Sequence, residues 1–210
     1  MRTRSLLAVS AVLILASCGG GSQSAPETTV APVALTCASG GICAIGDTGP
    51  GGGIVFYDAG SLQSWGRYLE AAPNTWSNTA GDPKMEWGCS NAFTPGALGT
   101  AIGTGAANTA AIVAGCFISG DAAKLADALT FGGKSDWFLP SKDELNLMYI
   151  NLKRQGIGDL DAVGYWSSSE ILAGAAWFQF FYGGDLGVEG DQGYGFKFYA
   201  YSVRPVRAFG

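Results

Sequence analysis

The sequence of 210 residues contains no histidine, and only 14% of its residues are charged, against about 25% in an average soluble protein. Without an imidazole the chain cannot build a Ser-His-Asp or Cys-His triad, a His-ligated zinc site or a histidine acid–base step near neutral pH. Glycine is abundant instead, with 33 residues, about twice its usual share. Because 48% of the residues are apolar and 12% are aromatic, the composition indicates a folded, loop-rich protein and not a disordered one.

The first 17 residues have the pattern of an export signal. Arg2 and Arg4 precede an apolar run over 5–16, which is shorter than the about 20 residues that a membrane-spanning helix needs. The run ends in Leu-Ala-Ser-Cys18, which resembles the bacterial lipobox, whose cysteine thiol receives diacylglycerol. The sequence predicts removal of 1–17 and export to the bacterial cell envelope, with a membrane anchor through lipid on Cys18. An ordinary cleaved signal with an incidental cysteine is the alternative.

The predicted mature chain is acidic. Loss of Arg2 and Arg4 leaves 10 basic residues against 17 acidic ones, a formal net charge of −7. An acidic protein outside the membrane binds nucleic acid, anionic lipid headgroups and sulfated polysaccharides poorly, and little nucleotide is present there. We therefore expect neither nucleic acid nor nucleotide among its partners.

Two parts of the mature chain differ in composition. Residues 18–36 are rich in Gly, Ser, Thr and Pro and have no periodic apolar face, which predicts a flexible linker. The remaining residues, 37–210, are enough for one domain that buries its own core without a partner.

The domain contains four cysteines, Cys37, Cys43, Cys89 and Cys116. An even number in an oxidising compartment favours two disulfides. Cys37 and Cys43 flank a short glycine-rich loop that brings them within bonding distance, which leaves Cys89 for Cys116, although three pairings are open in principle. A four-cysteine zinc site is the alternative, but the expected Cys-x-x-Cys spacing is missing.

The sequence pattern of the domain predicts short strands separated by glycines, with helices in the middle of the chain. The predicted strands cover 53–58, 67–71, 165–169, 175–182, 194–201 and 203–209, and the predicted helices cover 106–117, 121–129 and 141–154. Ser141 and Glu144 have the spacing of a capping box at the start of the third helix. The sequence therefore predicts an α+β fold: an antiparallel sheet core, two or three helices and long Gly-rich loops.

Four segments in fixed order carry a family resemblance. They are Ser-Asp-Trp-Phe-Leu-Pro-Ser-Lys-Asp-Glu-Leu at 135–145, Tyr-Trp-Ser-Ser-Ser-Glu at 165–170, Ala176-Trp177, and Val-Arg-Pro-Val-Arg at 203–207. Together they resemble the C-terminal domain family of the bacterial collagen-like adhesin Lcl. Upstream blocks at 45–57, 87–89 and 102–105 resemble the longer version of this domain in exported bacterial proteins.

The resemblance implies a C-type-lectin-like fold and an extracellular recognition function. The adhesin itself binds sulfated glycosaminoglycans through a basic surface. A net charge of −7 does not suit such a polyanion, so we expect the fold and the binding function to apply here but not that ligand.

Several residues are candidates for a site. Trp65 and Trp76 lie in polar segments and are candidate exposed platforms for ligand, because aromatic rings stack on the apolar faces of sugars. Trp137, Trp166 and Trp177 are expected in the core, and Arg204 and Arg207 are expected to pair with carboxylates. A final set, Asp185, Glu189 and Asp191 in a Gly-rich loop, is a candidate Ca²⁺ site, and a solvated acidic hairpin is its alternative.

Two functions follow as hypotheses. The first is a surface-tethered lipoprotein with a lectin-like domain that binds an extracellular glycan or protein, as in adhesion. The second is a hydrolase of envelope glycan that uses two carboxylates about 5–10 Å apart, with Asp136, Glu144 and Glu170 as candidates. A purely architectural role in the envelope is a third reading.

Overall fold

The computed structural model describes residues 35–117, 121–182 and 189–210, which belong to one compact unit. The predicted signal, the lipidation site Cys18, the linker up to residue 34 and the acidic residue Asp185 lie outside the described residues. Within the described ranges, no helix is long and apolar enough to cross a membrane.

The described residues form three α-helices and two β-sheets. The strands are β1 (Ile54–Gln63), β2 (Gly66–Ala71), β3 (Lys84–Glu86), β4 (Gly164–Leu172), β5 (Ala175–Phe180), β6 (Gln192–Phe196), β7 (Ala200–Ser202) and β8 (Val206–Phe209). The helices are α1 (Gly105–Gly115), α2 (Ala122–Asp127) and α3 (Lys142–Asn151), with 3-10 turns at Cys37–Ser39, Pro95–Ala97 and Lys153–Gln155. The predicted α+β class is confirmed.

One sheet has three strands and the other has five. The first has the order β1-β2-β8 and is antiparallel. The second has the order β3-β7-β4-β5-β6 and is antiparallel except for a short parallel pairing of β4 with β7. Strand β5 therefore lies between two neighbours, which explains why both of its faces carry partly or fully buried side chains.

Helix α3 begins where its sequence predicts. The Ser141 hydroxyl accepts the Glu144 amide at 3.3 Å, and the Glu144 carboxylate accepts the Ser141 amide at 2.7 Å, so the capping box is confirmed. At the other end, Gly156 follows the Lys153–Gln155 turn with a φ of 68°, a left-handed conformation that glycine adopts without strain. Leu145 and Met148 of α3 and Leu152 after it belong to a core cluster that joins this helix to both sheets, together with Phe56, Leu69, Tyr165 and Phe181.

A second core cluster lies between helices α1 and α2 and strands β4 and β5. It contains Trp87, Trp137 and Trp166, all buried. The core prediction is therefore confirmed for Trp137 and Trp166. Trp177 is only half-buried, with the Lys142 Nζ atom 5.0 Å from the centre of its ring.

The predicted single strand over 194–201 is wrong. The chain forms β6, turns through 197–199 and continues as β7, and the Tyr199 amide donates to the Phe196 carbonyl at 2.9 Å to close the turn. At this turn the Lys197 side chain is fully buried and paired with Glu170 in β4. A period-two pattern cannot reveal a buried lysine.

Both predicted disulfides are present. Cys37 bonds to Cys43 with a Cα–Cα distance of 4.7 Å, and Cys89 bonds to Cys116 with 5.2 Å. The second disulfide connects the loop after β3 to the end of α1. Because all four thiols are used in this way, the zinc alternative is wrong.

Candidate ligand-binding surface

The last motif segment supplies an arginine to a buried polar network. The Arg204 Nε atom donates to an Asp82 oxygen at 2.7 Å, and both side chains are buried. The same carboxylate accepts the Trp76 indole N–H at 2.9 Å and the Tyr165 hydroxyl at 2.6 Å. Burial, followed by the charge of Asp82, raises the pKa of Tyr165 far above its ordinary value. The remaining Arg204 donors reach the carbonyls of Ala72, Gly158 and Asp159.

Arg207 forms an ion pair with a second buried carboxylate, that of Glu70. Its guanidinium donates to Glu70 at 2.8 Å and also pairs with the more exposed Asp136. Glu70 in turn accepts the amides of Gly51 and Gly53, each at 3.0 Å. A Cβ on Gly51 would lie 2.6 Å from a Glu70 oxygen, so the glycine-rich run allows the backbone to wrap the carboxylate. Both arginines pair with carboxylates, as predicted.

The candidate acids of the hydrolase hypothesis also have structural partners. Glu144 is buried and accepts the amides of Ser141 and Gly103, each at 2.7 Å; burial raises the pKa of this carboxyl, and the hydrogen bonds oppose that rise. Glu170 is buried, pairs with Lys197 and accepts the Thr94 amide at 2.7 Å. Neither the cleft lined by Tyr149 and Glu189 nor the cleft lined by Tyr182 and Tyr201 has a candidate acid, Asp136, Glu144 or Glu170, among its described lining residues.

The predicted exposure of Trp76 is wrong. Trp76 is only 6% exposed, because its indole N–H is directed at the buried Asp82 carboxylate. Trp65 is half-buried, with its ring centre 6.2 Å from that of Tyr57 and its edge against Gly103. The polar neighbours of Trp76 belong to a loop, whereas those of Trp65 belong to the ends of β1 and β2 and the turn between them.

The acidic loop is described only in part. Glu189 and Asp191 are exposed and line a cleft of 580 Å³, together with Tyr149 and Arg154. Burial, followed by the charge of Glu189, raises the pKa of Tyr149. Within the described ranges, no group of three or more acidic, cysteine or histidine side chains is placed to hold a metal ion. Because Asp185 lies outside these ranges, the calcium site stays a prediction.

The most unusual surface was not predicted. Four large aromatic side chains on β6 and the following turn are exposed: Tyr194 at 65%, Phe196 at 54%, Phe198 at 56% and Tyr199 at 44%. The Phe196 and Phe198 rings are parallel within 5° at 5.3 Å, and Tyr199 meets Phe198 edge-on at 4.9 Å. Clustered apolar side chains of this kind mark interaction surfaces. The available sequence signal was the density of aromatics between 194 and 201.

The exposed turn continues into a cleft on the same sheet. The cleft has a volume of 340 Å³, and Lys84, Phe180, Tyr182 and Tyr201 are among the side chains that line it. Seven rings join the two regions, and neighbouring ring centres are 4.5–6.3 Å apart. In spatial order they are Tyr182, Phe180, Phe178, Tyr201, Tyr199, Phe198 and Phe196. We call this set the aromatic track.

A buried lysine fixes one end of the aromatic track. Lys197 lies between Phe196 and Phe198 in the sequence, and its ammonium pairs with Glu170, donates to the Ala92 carbonyl at 2.8 Å and lies 4.4 Å from the Trp87 ring centre. Its backbone is held as well, since its amide donates to Gly174 and its carbonyl accepts from Trp87. The turn that displays the exposed rings is therefore anchored from inside the protein.

Comparison with protein families and with curated proteins does not identify the ligand of this surface. No protein-family model matches the chain, and no curated protein matches it significantly. The function has to be inferred from the residues of the chain itself, and the exposed rings of the aromatic track, Phe196, Phe198 and Tyr199, are the most distinctive among them.

Proposed function

We propose that the protein is an exported bacterial lipoprotein whose C-type-lectin-like domain, of the Lcl C-terminal type, binds an extracellular glycan or protein in adhesion. The observation that carries this proposal is the aromatic track, whose rings at the turn are exposed and whose rings at the cleft are half-buried. Large aromatic side chains contribute most of the binding energy in many recognition surfaces, because they offer a wide contact area and lose little conformational entropy. Anchoring of the turn by Lys197 adds preorganisation, which lowers the entropic cost of binding.

The positions of the candidate acids favour binding over hydrolysis. A glycosidase needs one carboxyl group that delivers a proton and a second that attacks or activates water, both facing a cleft. Here Glu144 caps α3 and holds the Gly103 amide, while Glu170 neutralises Lys197. Both acids already have structural partners.

The proposal predicts that the aromatic track is required for binding. The detergent-solubilised full chain should bind ligands on an array of glycans and matrix proteins at physiological salt. Phe196→Ala combined with Phe198→Ala should weaken that binding at least about tenfold, which corresponds to about 1.4 kcal/mol.

Phe117→Ala is the matched control, since Phe117 is 98% exposed and lies outside the aromatic track; it should bind like the wild type. Silence of the folded wild-type protein across both arrays would contradict the proposed function. Equal weakening by the control variant would contradict the role of the aromatic track.

The lipid anchor gives a separate prediction. Cys18→Ala removes the thiol that accepts diacylglycerol, so the protein should move from the membrane fraction to the soluble exported fraction. Fractionation followed by immunoblotting measures this. Ser24→Ala, in the predicted linker, should leave the protein in the membrane fraction, and unchanged membrane retention of Cys18→Ala would refute the anchor.

A further inference from the structure

We propose that the aromatic track binds an extended, uncharged polysaccharide chain, with one end of the chain in the cleft and the other on the β6–β7 turn. This inference rests on the proposed function and names the chemical class of its ligand. It depends on the shape, the charge and the rigidity of the surface.

The shape of the aromatic track indicates a chain and not a single sugar. At one end, Phe180, Tyr182 and Tyr201 line the 340 Å³ cleft, which falls in the range of about 300–1,000 Å³ typical of small-ligand sites. From there the rings continue through Tyr199 to Phe198, on open surface. A single sugar can occupy the cleft, but only a chain of several sugars contacts both ends.

The charge of the aromatic track indicates an uncharged ligand. Residues 192–201 include one charged residue, Lys197. Its buried ammonium is neutralised by Glu170. In the cleft, the exposed Lys84 can donate hydrogen bonds to sugar hydroxyls. Because the predicted mature chain has a net charge of −7, a polyanion is repelled at long range.

The lack of exposed charge on the turn favours a glycan over a protein as the ligand. Charged groups around a protein interface steer the encounter and fix the orientation of the partner. The turn of the aromatic track has no exposed charge, and the exposed charges beside it include Lys84 and Glu86 on β3, which are of opposite sign. To bind a sugar, a protein needs apolar ring faces that contact the sugar C–H groups and hydroxyls that hydrogen-bond to the sugar hydroxyls. The tyrosines Tyr182, Tyr199 and Tyr201 combine both in one side chain.

Two glycines allow the rings to lie close to the sheet. A Cβ on Gly193 would lie 3.3 Å from the Phe178 ring, and a Cβ on Gly195 would lie 3.1 Å from the Tyr201 ring. Both distances are tighter than ordinary contacts, so a larger residue at either position would displace a ring. The middle of the aromatic track is thus fixed by the strand beneath it, as the turn is fixed by Lys197.

The test compares ligand length, ligand charge and the two ends of the aromatic track. The probes are disaccharides and hexasaccharides of neutral glucan, mannan, galactan and xylan, with heparin and polygalacturonate as charged polymers. Binding to the full chain is measured by calorimetry for the wild type, Tyr182→Ala at the cleft end, Phe198→Ala at the turn end and the control Phe117→Ala. At least one neutral hexasaccharide should bind at least about tenfold more tightly than its disaccharide.

Each end variant should weaken hexasaccharide binding about tenfold, and Phe198→Ala should leave disaccharide binding in the cleft unchanged. Three outcomes overturn the inference while the proposed function stands: equal affinity for the two lengths, preference for heparin or polygalacturonate, or binding to matrix proteins alone. Binding to nothing on any panel overturns the inference and the proposed function together, so the two failures are distinguishable.

Discussion

Replacing Arg204 with methionine should destabilise the folded protein by about 3–5 kcal/mol. The substitution preserves much of the apolar volume but leaves the Asp82 carboxylate buried without its cation. It also removes the donors that satisfy three buried or half-buried carbonyls, those of Ala72, Gly158 and Asp159. An unpaired buried charge and unsatisfied carbonyls are among the few causes of such large losses.

The chain contains a matched control for this substitution. Arg67 forms a two-point ion pair with Asp58 at 2.8 and 3.0 Å, but about a third of each side chain is exposed. Arg67→Met should therefore cost less than about 1 kcal/mol. Urea denaturation gives both free energies of unfolding, and equal losses for the two arginines would contradict the importance of burial.

A milder variant serves if Arg204→Met fails to fold. Tyr165→Phe removes the hydroxyl that donates to Asp82 and that accepts the Asp161 amide. It should cost about 1–3 kcal/mol and leave the Arg204 pair in place. A Tyr165→Phe protein as stable as the wild type would show that Asp82 does not need its full set of donors.

The features that sequence reasoning predicted correctly are local or follow from strong chemical rules. The capping box of Ser141 and Glu144 depends on a spacing of three residues, and the Cys37–Cys43 disulfide depends on one short loop. Pairing of Arg204 and Arg207 with carboxylates follows because arginine cannot be buried without an acceptor. These rules need no knowledge of the tertiary fold.

The features that it missed depend on contacts between distant segments. Trp76 is buried because Asp82 is fixed by Arg204, which lies more than a hundred residues further along the chain. The aromatic track combines residues of β5, β6, β7 and the turn between β6 and β7, and its order in space is not its order in sequence. No periodicity of one segment contains that information.

Lys197 is the second residue whose replacement should have a large effect. Lys197→Met should destabilise the protein by about 3–5 kcal/mol, because Glu170 would stay buried without a counter-charge. Lys142→Met is the control: Lys142 also pairs with an acid, Asp143 at 3.6 Å, and lies 5.0 Å from a tryptophan ring centre, but it is partly exposed. Its loss should be below about 1 kcal/mol.

A second substitution separates the charge from the packing. Glu170→Gln in the Lys197→Met protein removes the unpaired charge and keeps an oxygen that accepts the Thr94 amide. The double variant should regain more than half of the lost stability, and a double-mutant cycle in urea measures the coupling. If the double variant is less stable than Lys197→Met alone, the buried charge is not the cause of the loss.

Comparing Lys197→Met with Lys142→Met also tests whether the interior of the protein controls its binding surface. Lys197 contacts no position that a ligand on the exposed rings would occupy, because its side chain is fully buried. Its loss can weaken binding only by freeing the turn that carries Phe196 and Phe198, which raises the entropic cost of ordering those rings. Under conditions where both proteins are folded, Lys197→Met should therefore bind the hexasaccharide several-fold more weakly and with a less favourable entropy than Lys142→Met. Equal affinities would mean that the rings are held by their mutual stacking alone.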